Sequence, residues 1–363
     1  MASSRPFRVI APGRVCFFGE HSDYLELDVI PAAISLSMEI VANPRDDGQI
    51  CVEYVDLGVK DEFRVAVPLD YRHKRDYLRS AFNVIHDLGS DPESGWDLQV
   101  SGKIPIAGGL SSSSALSVAS IMAAAHISNK GLKPIEIVRC AYEAEVERFG
   151  ESGGMMDHYA SMFGGIIHVS MNSDNNKVTR LPAEVSGLVI GDSLEKKKDT
   201  VGDLRNIRRS VEAGFKEMNE KIPGFDRRAT SVQEINRIQS PGSDPEFMMA
   251  EATLRNRDLT MRGFELLNNK HPNQEELGNL LNKHHSVLRY SLARSTPKID
   301  MMIDSALKAG ALGCKVNGSG GGGTMLAYAP GAEDEVSEAI RGVGGVPYRV
   351  AIAKGASLTT LRE

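Results

Sequence analysis

Short apolar runs bounded by turn residues dominate the first hundred positions. Phe7 to Ile10 and Val15 to Phe18 predict strands on either side of Ala11-Pro12-Gly13, and Ile50 to Val55 and Phe63 to Val67 predict two more. The spacing turns helical from Asp76 to Leu88 and returns to a strand at Trp96 to Val100. A small-residue helix starts near Ala115, and a stronger one runs from Pro134 to Phe149, with Pro134 suited to its first turn and Gly150 to its stop. Gly164 to Val169 predicts a strand, as does Gly187 to Gly191, which ends in Asp192. A domain change just before that strand divides the chain into 1–184 and 185–363. Leu204 to Lys283 is helix-rich, with breaks at Pro223 and Pro241. Then come a helix at Pro297 to Ala309, a strand–glycine loop–strand at Ala311 to Tyr328, and a last helix and strand at Glu333 to Arg341 and Tyr348 to Ile352. The pattern is α+β in two halves, with glycine loops at the joints and no internal repeat.

Composition refines this picture only slightly. With 363 residues, 41% hydrophobic and 25% charged, a sizeable core needs no disulfide or metal staple. A net charge of −6 argues against nucleic acid and anionic membrane as partners, although Lys196-Lys197-Lys198 and Arg205 to Arg209 can meet a phosphate. Cys16, Cys51, Cys140 and Cys314 lack CxxC spacing and read as reduced, mostly buried thiols. Met1 to Arg5 lacks the apolar segment of a signal peptide. Ala115 to Ile127 is too short, and too interrupted by Ser117, Ser120 and His126, to span a bilayer. A cytoplasmic protein is expected.

Four segments carry candidate chemistry. Ile104-Pro105-Ile106-Ala107-Gly108-Gly109-Leu110-Ser111-Ser112-Ser113-Ser114-Ala115 joins a glycine pair and four serines to a helix start. Backbone N–H groups and the positive end of the helix dipole there suit a triphosphate and its metal. It is not a Walker loop, since no Gly-Lys-Ser/Thr follows, and the plainer reading is a serine-rich helix cap. Upstream, an apolar strand delivers Glu20, His21 and Asp23 into a loop bounded by Gly19, well placed for substrate hydroxyls or simply a solvated turn. Glu145 continues the apolar stripe of Ile137 and Ala141 and so needs a partner: a bound cation, or an ion pair with Arg148 or another base. Asp157 follows Gly153-Gly154-Met155-Met156, where a base or a helix cap would fit. Finally, Gly318, Gly320 and Gly323 match GxGxxG, but a strand follows in place of a helix, which rejects the dinucleotide reading. Backbone packed against a ligand or another loop suits that segment better.

In this order, Pro-Gly-Arg-Val…Gly-Glu-His-Ser-Asp-Tyr, Gly-Gly-Leu-Ser-Ser-Ser, Ala-Glu…Gly-Gly-Met-Met-Asp and the late glycine loop, the chain resembles the GHMP kinases from about Phe7 to Tyr328. Within that family the first motif is most similar to galactokinase. The resemblance implies a two-domain fold, with an N-terminal mixed-sheet domain, a C-terminal domain of α/β sandwich type and the active site between them. It implies an ATP- and Mg²⁺-dependent sugar kinase, most simply acting on the anomeric hydroxyl of galactose or a related sugar. Gly108, Gly109, Leu110, Ser111, Ser112, Ser113 and Ser114 would wrap ATP, with Gly318, Gly320 and Gly321 as the late loop. The metal-holding serine falls on Ser113, with Ser112 and Ser114 as alternatives, and the metal-holding glutamate on Glu145. Asp157 would be the base, with Arg14 beside it. Glu20, His21 and Asp23 match the sugar-binding trio, and Gly154 a glycine that admits the sugar.

Three departures bear on substrate. Cys16 stands where galactokinases usually carry asparagine, and Leu25-Glu26-Leu27-Asp28 replaces a segment with an early glycine. No clear counterpart of the galactose-contacting tyrosine occurs between Asp192 and Arg209. Another hexose, an N-acetylhexosamine, a uronic acid or a cyclitol are therefore alternative acceptors; a GHMP kinase for mevalonate, homoserine or a heptose phosphate is a second enzymatic reading, and a sensor that binds sugar and ATP without turnover is the non-enzymatic one. The roles of Arg205, Arg208 and Arg209 stay open.

Overall fold

The computed structural model describes residues 5–64, 68–105, 108–172, 176–196, 200–238 and 244–362. Phe7–Phe18 is one strand, β1, and not two. The predicted break at Ala11-Pro12-Gly13 survives as a shift in pairing register between Pro12 and Arg14, where proline has no N–H to give to a regular ladder. β1 pairs antiparallel with β2 (Ile30–Arg45), a long strand that the apolar pattern does not announce. β3 (Gln49–Tyr54) and β4 (Val59–Arg64) follow; the end of the strand expected at Phe63 to Val67 lies outside the described residues. α1 (Tyr77–Asp87) and β5 (Gly95–Gly102) match their predictions closely.

The serine loop enters α2 (Ser112–Ile127), which begins three residues earlier than expected and so brings Ser112 to Ser114 into its first turn. The predicted 134–149 helix is two pieces. α3 (Pro134–Tyr142) is regular, and Glu143–Glu147 is a π-helical turn, closed by Arg148 N–H donating to Glu143 O at 3.1 Å. α4 (Met156–Phe163), β6 (Ile166–Ser170) and β7 (Lys177–Leu181) complete the first half.

In the second half, β8 (Leu188–Asp192) leads to α5 (Thr200–Lys221), α6 (Val232–Ile238), α7 (Pro245–Leu267) and α8 (Gln274–Ser286). The break expected at Pro241 falls outside the described residues. Then come α9 (Pro297–Lys308), β9 (Gly313–Asn317), β10 (Thr324–Tyr328), α10 (Glu333–Gly342), β11 (Val346–Val350) and β12 (Ser357–Thr360).

Two sheets result. The larger is eight-stranded, ordered β12-β1-β2-β5-β3-β4, with β6 and β7 attached through β2. It is mixed, because β3 runs parallel to β5. The smaller, β11-β8-β10-β9, is antiparallel throughout. A large apolar core spans both halves: Phe7, Val9, Phe17 and Ile40 from one, Leu188, Ile190, Val316 and Leu326 from the other. A second core packs Tyr24, Leu25 and Leu27 against Val211 and Phe215 of α5 and Phe247 and Leu254 of α7. Burying those aromatic and branched side chains pins the loop after β1 to the helices of the other half. Among the described residues no helix is long and apolar enough to cross a membrane.

Candidate active site

A cleft of about 500 Å³ opens where the two halves meet. Its walls include Arg14, Glu20, His21 and Asp23 from the first motif, and Gly109 and Ser111 to Ser114 from the second. Glu145, Gly154, Asp157 and His158 line it as well, with Gly318 and Ser319 from the late loop and Val201 and Leu204 from α5. Gly108 and Leu110 stand behind this surface, and Leu110 is part of the core. Gly320 and Gly321 pack on the Arg294 backbone, Gly321 N–H donating to Arg294 O at 2.9 Å.

Asp157 sits in the first turn of α4. The Arg14 guanidinium grips it with both ends of its fork, Nε to Oδ1 at 2.7 Å and Nη2 to Oδ2 at 3.0 Å. Ser111 Oγ donates to the same Oδ2. Burial pushes the Asp157 carboxyl up, but the adjacent Arg14 charge and these hydrogen bonds outweigh it and hold the group below the usual carboxylate range. The third arm of Arg14, Nη1, donates to Gly109 O at 2.7 Å, and that carbonyl also receives Asn317 Nδ2 at 3.0 Å. First motif, serine loop and late loop thus converge on one peptide oxygen. Ser111 itself has a left-handed backbone, φ 62°, unusual for a side-chain-bearing residue and consistent with a loop held to a shape.

The acceptor side is equally specific. Asp23 Oδ2 receives Met156 N–H at 3.2 Å, and a Cβ added to Gly154 would lie 2.1 Å from Asp23 Cγ, so only glycine admits this approach. Burial and the nearby Asp157 charge raise Asp23 from 3.8 to about 6. The folded chain therefore binds that proton more tightly than the unfolded chain. The stability this brings is full below pH 4 and is lost as pH rises through 6. Asp23→Asn, which removes the buried charge, should stabilise the protein by about 1–3 kcal/mol at pH 8 and hardly at pH 4. Melting curves at the two pH values check this; an equal shift at both would show that Asp23 carries no such charge penalty. His21 Nδ1 lies 2.8 Å from Tyr24 Oη, and Glu20 is almost fully buried, bonded to Lys315 and to Gly318 N–H.

Glu145 occupies the π-helical turn, which carries it toward the cleft. Arg148 is not its partner, since that side chain pairs with Glu143 and Asp87. The base beside Glu145 is His158, Nε2 to Oε2 at 2.7 Å, although the two do not align as a hydrogen bond and Glu145 Oε2 stays unsatisfied. A buried, unsatisfied carboxylate oxygen in a cleft also lined by Ser112 to Ser114 fits a Mg²⁺ ion, which takes few protein ligands and draws the rest from phosphates and water. Among the described residues no cluster of three acidic, histidine or cysteine ligands competes with it.

Lys315, the fully buried partner of Glu20, has no signal in the sequence beyond its place in an apolar strand. Arg205, Arg208 and Arg209 are exposed on α5. Of the basic run at 196–198, only Lys196 is among the described residues.

Comparison with known proteins assigns the chain to a family. Residues 76–165 match the GHMP kinases N terminal domain, 264–345 the GHMP kinases C terminal domain, and 2–44 the galactokinase galactose-binding signature. The chain is 29% identical to a galactokinase of Mannheimia succiniciproducens, over 89% of this chain and 85% of that one. It is 27% identical to a mevalonate kinase of Thermococcus sibiricus, over 95% of each. In three dimensions it is similar to Lactococcus lactis galactokinase complexed with galactose, with a TM-score of 0.82 and 22% identity, covering 98% of this chain and 95% of the other. The chain belongs to the GHMP kinases, enzymes that transfer a phosphoryl group from ATP to an alcohol.

Proposed function

We propose that this kinase phosphorylates a monosaccharide, at the anomeric hydroxyl of galactose or a related sugar, with Asp157 as the base. The observation that carries the reading is the pairing, in one cleft, of a galactose-binding signature with an aspartate kept ionised by a bidentate arginine. A carboxylate in that state can take the proton of an acceptor hydroxyl. Phosphoryl transfer asks the protein mainly for positioning and charge neutralisation. Arg14 and the N–H groups at the start of α2 supply positive potential beside the transferring group. Ser113 and Glu145 would hold Mg²⁺, which when bound would neutralise charge on the ATP phosphates. Glu20, His21 and Asp23 would receive sugar hydroxyls. Residues 1–184 and 185–363 would be the two domains, with β12 returned to the first sheet.

The similarity to a mevalonate kinase keeps a second acceptor class in view. Asp23 and Glu145, the cleft carboxylates that no lysine or arginine among the described residues pairs, favour a neutral polyol over an anion. ADP release from Mg-ATP across galactose, glucose, N-acetylhexosamines, uronic acids, inositol and mevalonate tests the reading. A strong response to one sugar supports it, and NMR of the product locates the phosphate. A response to mevalonate alone overturns it.

A further inference from the structure

We propose that Lys315 is a positioning residue for the acceptor, holding Glu20 in the orientation that receives an acceptor hydroxyl; this rests on the acceptor role given to Glu20 above. Lys315 lies on β9 opposite Leu326, in the smaller sheet, yet its side chain reaches the first half. Its Nζ donates to Cys16 O at 2.8 Å and to Glu20 Oε2, with no solvent exposure. The other oxygen, Glu20 Oε1, receives Gly318 N–H from the loop that follows the same strand. Asn256 on α7 fixes the Glu20 backbone, Nδ2 to Glu20 O at 2.8 Å. Glu20 is therefore held at three points while still forming part of the cleft wall.

Chemistry decides what this arrangement does. An ammonium taken fully out of water is tolerated only when paired and hydrogen-bonded, and such a pair gives little net stability over an apolar replacement. It does give orientation. One donor on each carboxylate oxygen leaves a lone pair on each for a further hydrogen bond. The pair carries no net charge, so the acceptor meets a directed hydrogen-bond acceptor without a net anion behind it. Asp23, by contrast, has no lysine or arginine in ion-pair contact among the described residues. Acceptor reading by Glu20 is thus routed through β9, some three hundred residues away in sequence.

The test compares Lys315→Met, Glu20→Gln and the double variant with the parental protein, on whichever alcohol the parental protein phosphorylates. Lys315→Met leaves a buried unpaired carboxylate and is expected to melt lower; the double variant leaves no unpaired charge and is expected to melt close to the parental value. All three should raise the acceptor KM by about 10- to 100-fold, the range of a lost hydrogen bond to a charged group, with the KM for Mg-ATP nearly unchanged. The effects should not add, since each variant breaks the same contact. A folded double variant with parental acceptor KM would overturn the proposal, as would acceptor and ATP constants that rise together. A parental protein that phosphorylates another alcohol and no sugar ends the sugar reading and leaves this comparison intact.

Discussion

Asp157→Asn is expected to lower turnover by about 10²–10⁴-fold, the usual contribution of a positioned base, with little change in the binding of Mg-ATP. The substitution keeps the shape of the side chain and loses the charge that Arg14 grips. It should also relax Asp23, whose carboxyl is pushed up in part by the Asp157 charge. Single-turnover measurements isolate the chemical step, and product release measured alongside separates the two causes of a slow steady state. A variant that keeps near-parental single-turnover rates would remove Asp157 from the role of base.

Arg14→Met carries the second large expectation. Removing a preorganised donor from a developing negative charge costs about 10²–10³-fold in turnover. The diagnostic readout is pH. Burial alone raises Asp157, and Arg14 is the first of the groups that reverse this. Without Arg14 the folded-state carboxyl rises, so the acidic limb of the kcat/KM profile should move to higher pH. Arg14→Lys, with a point charge in place of the fork, should restore part of the pH shift and less of the rate. An acidic limb that stays put in Arg14→Met would show that Arg14 does not set the ionisation of Asp157.

How much of this was legible beforehand depends on the kind of signal. Arg14, Glu20, Asp23, the serine loop and Asp157 stand beside glycines and small residues, and that local grammar marks a loop near a ligand even where its fold is unknown. β2 had no such marker. It runs Ile30-Pro31-Ala32-Ala33-Ile34 while buried, then turns amphipathic, so neither strict alternation nor a β-branched run identifies it. The π-helical turn at Glu143–Glu147 leaves no mark on a 3.6-residue apolar period, although that same period singles out Glu145. Lys315 fails for another reason. Within Gly313-Cys314-Lys315-Val316-Asn317 a lysine reads as the solvent side of a strand, and its partner is a residue of the first motif. Only tertiary structure brings such pairs together.

The closing strand β12 has a consequence for synthesis. Its four residues pair with Phe7 to Ile10 of β1, and Ile352 and Lys354 bridge to Ile34 and Gly164. A nascent polypeptide that already contains every motif of the cleft still presents the free edge of β1 until residues 357–360 emerge. Loop closure over so long a separation is entropically slow to find, and an unpaired edge is a template for foreign strands. The outer edge of the first half's sheet is therefore completed only when residues 357–360 are in place.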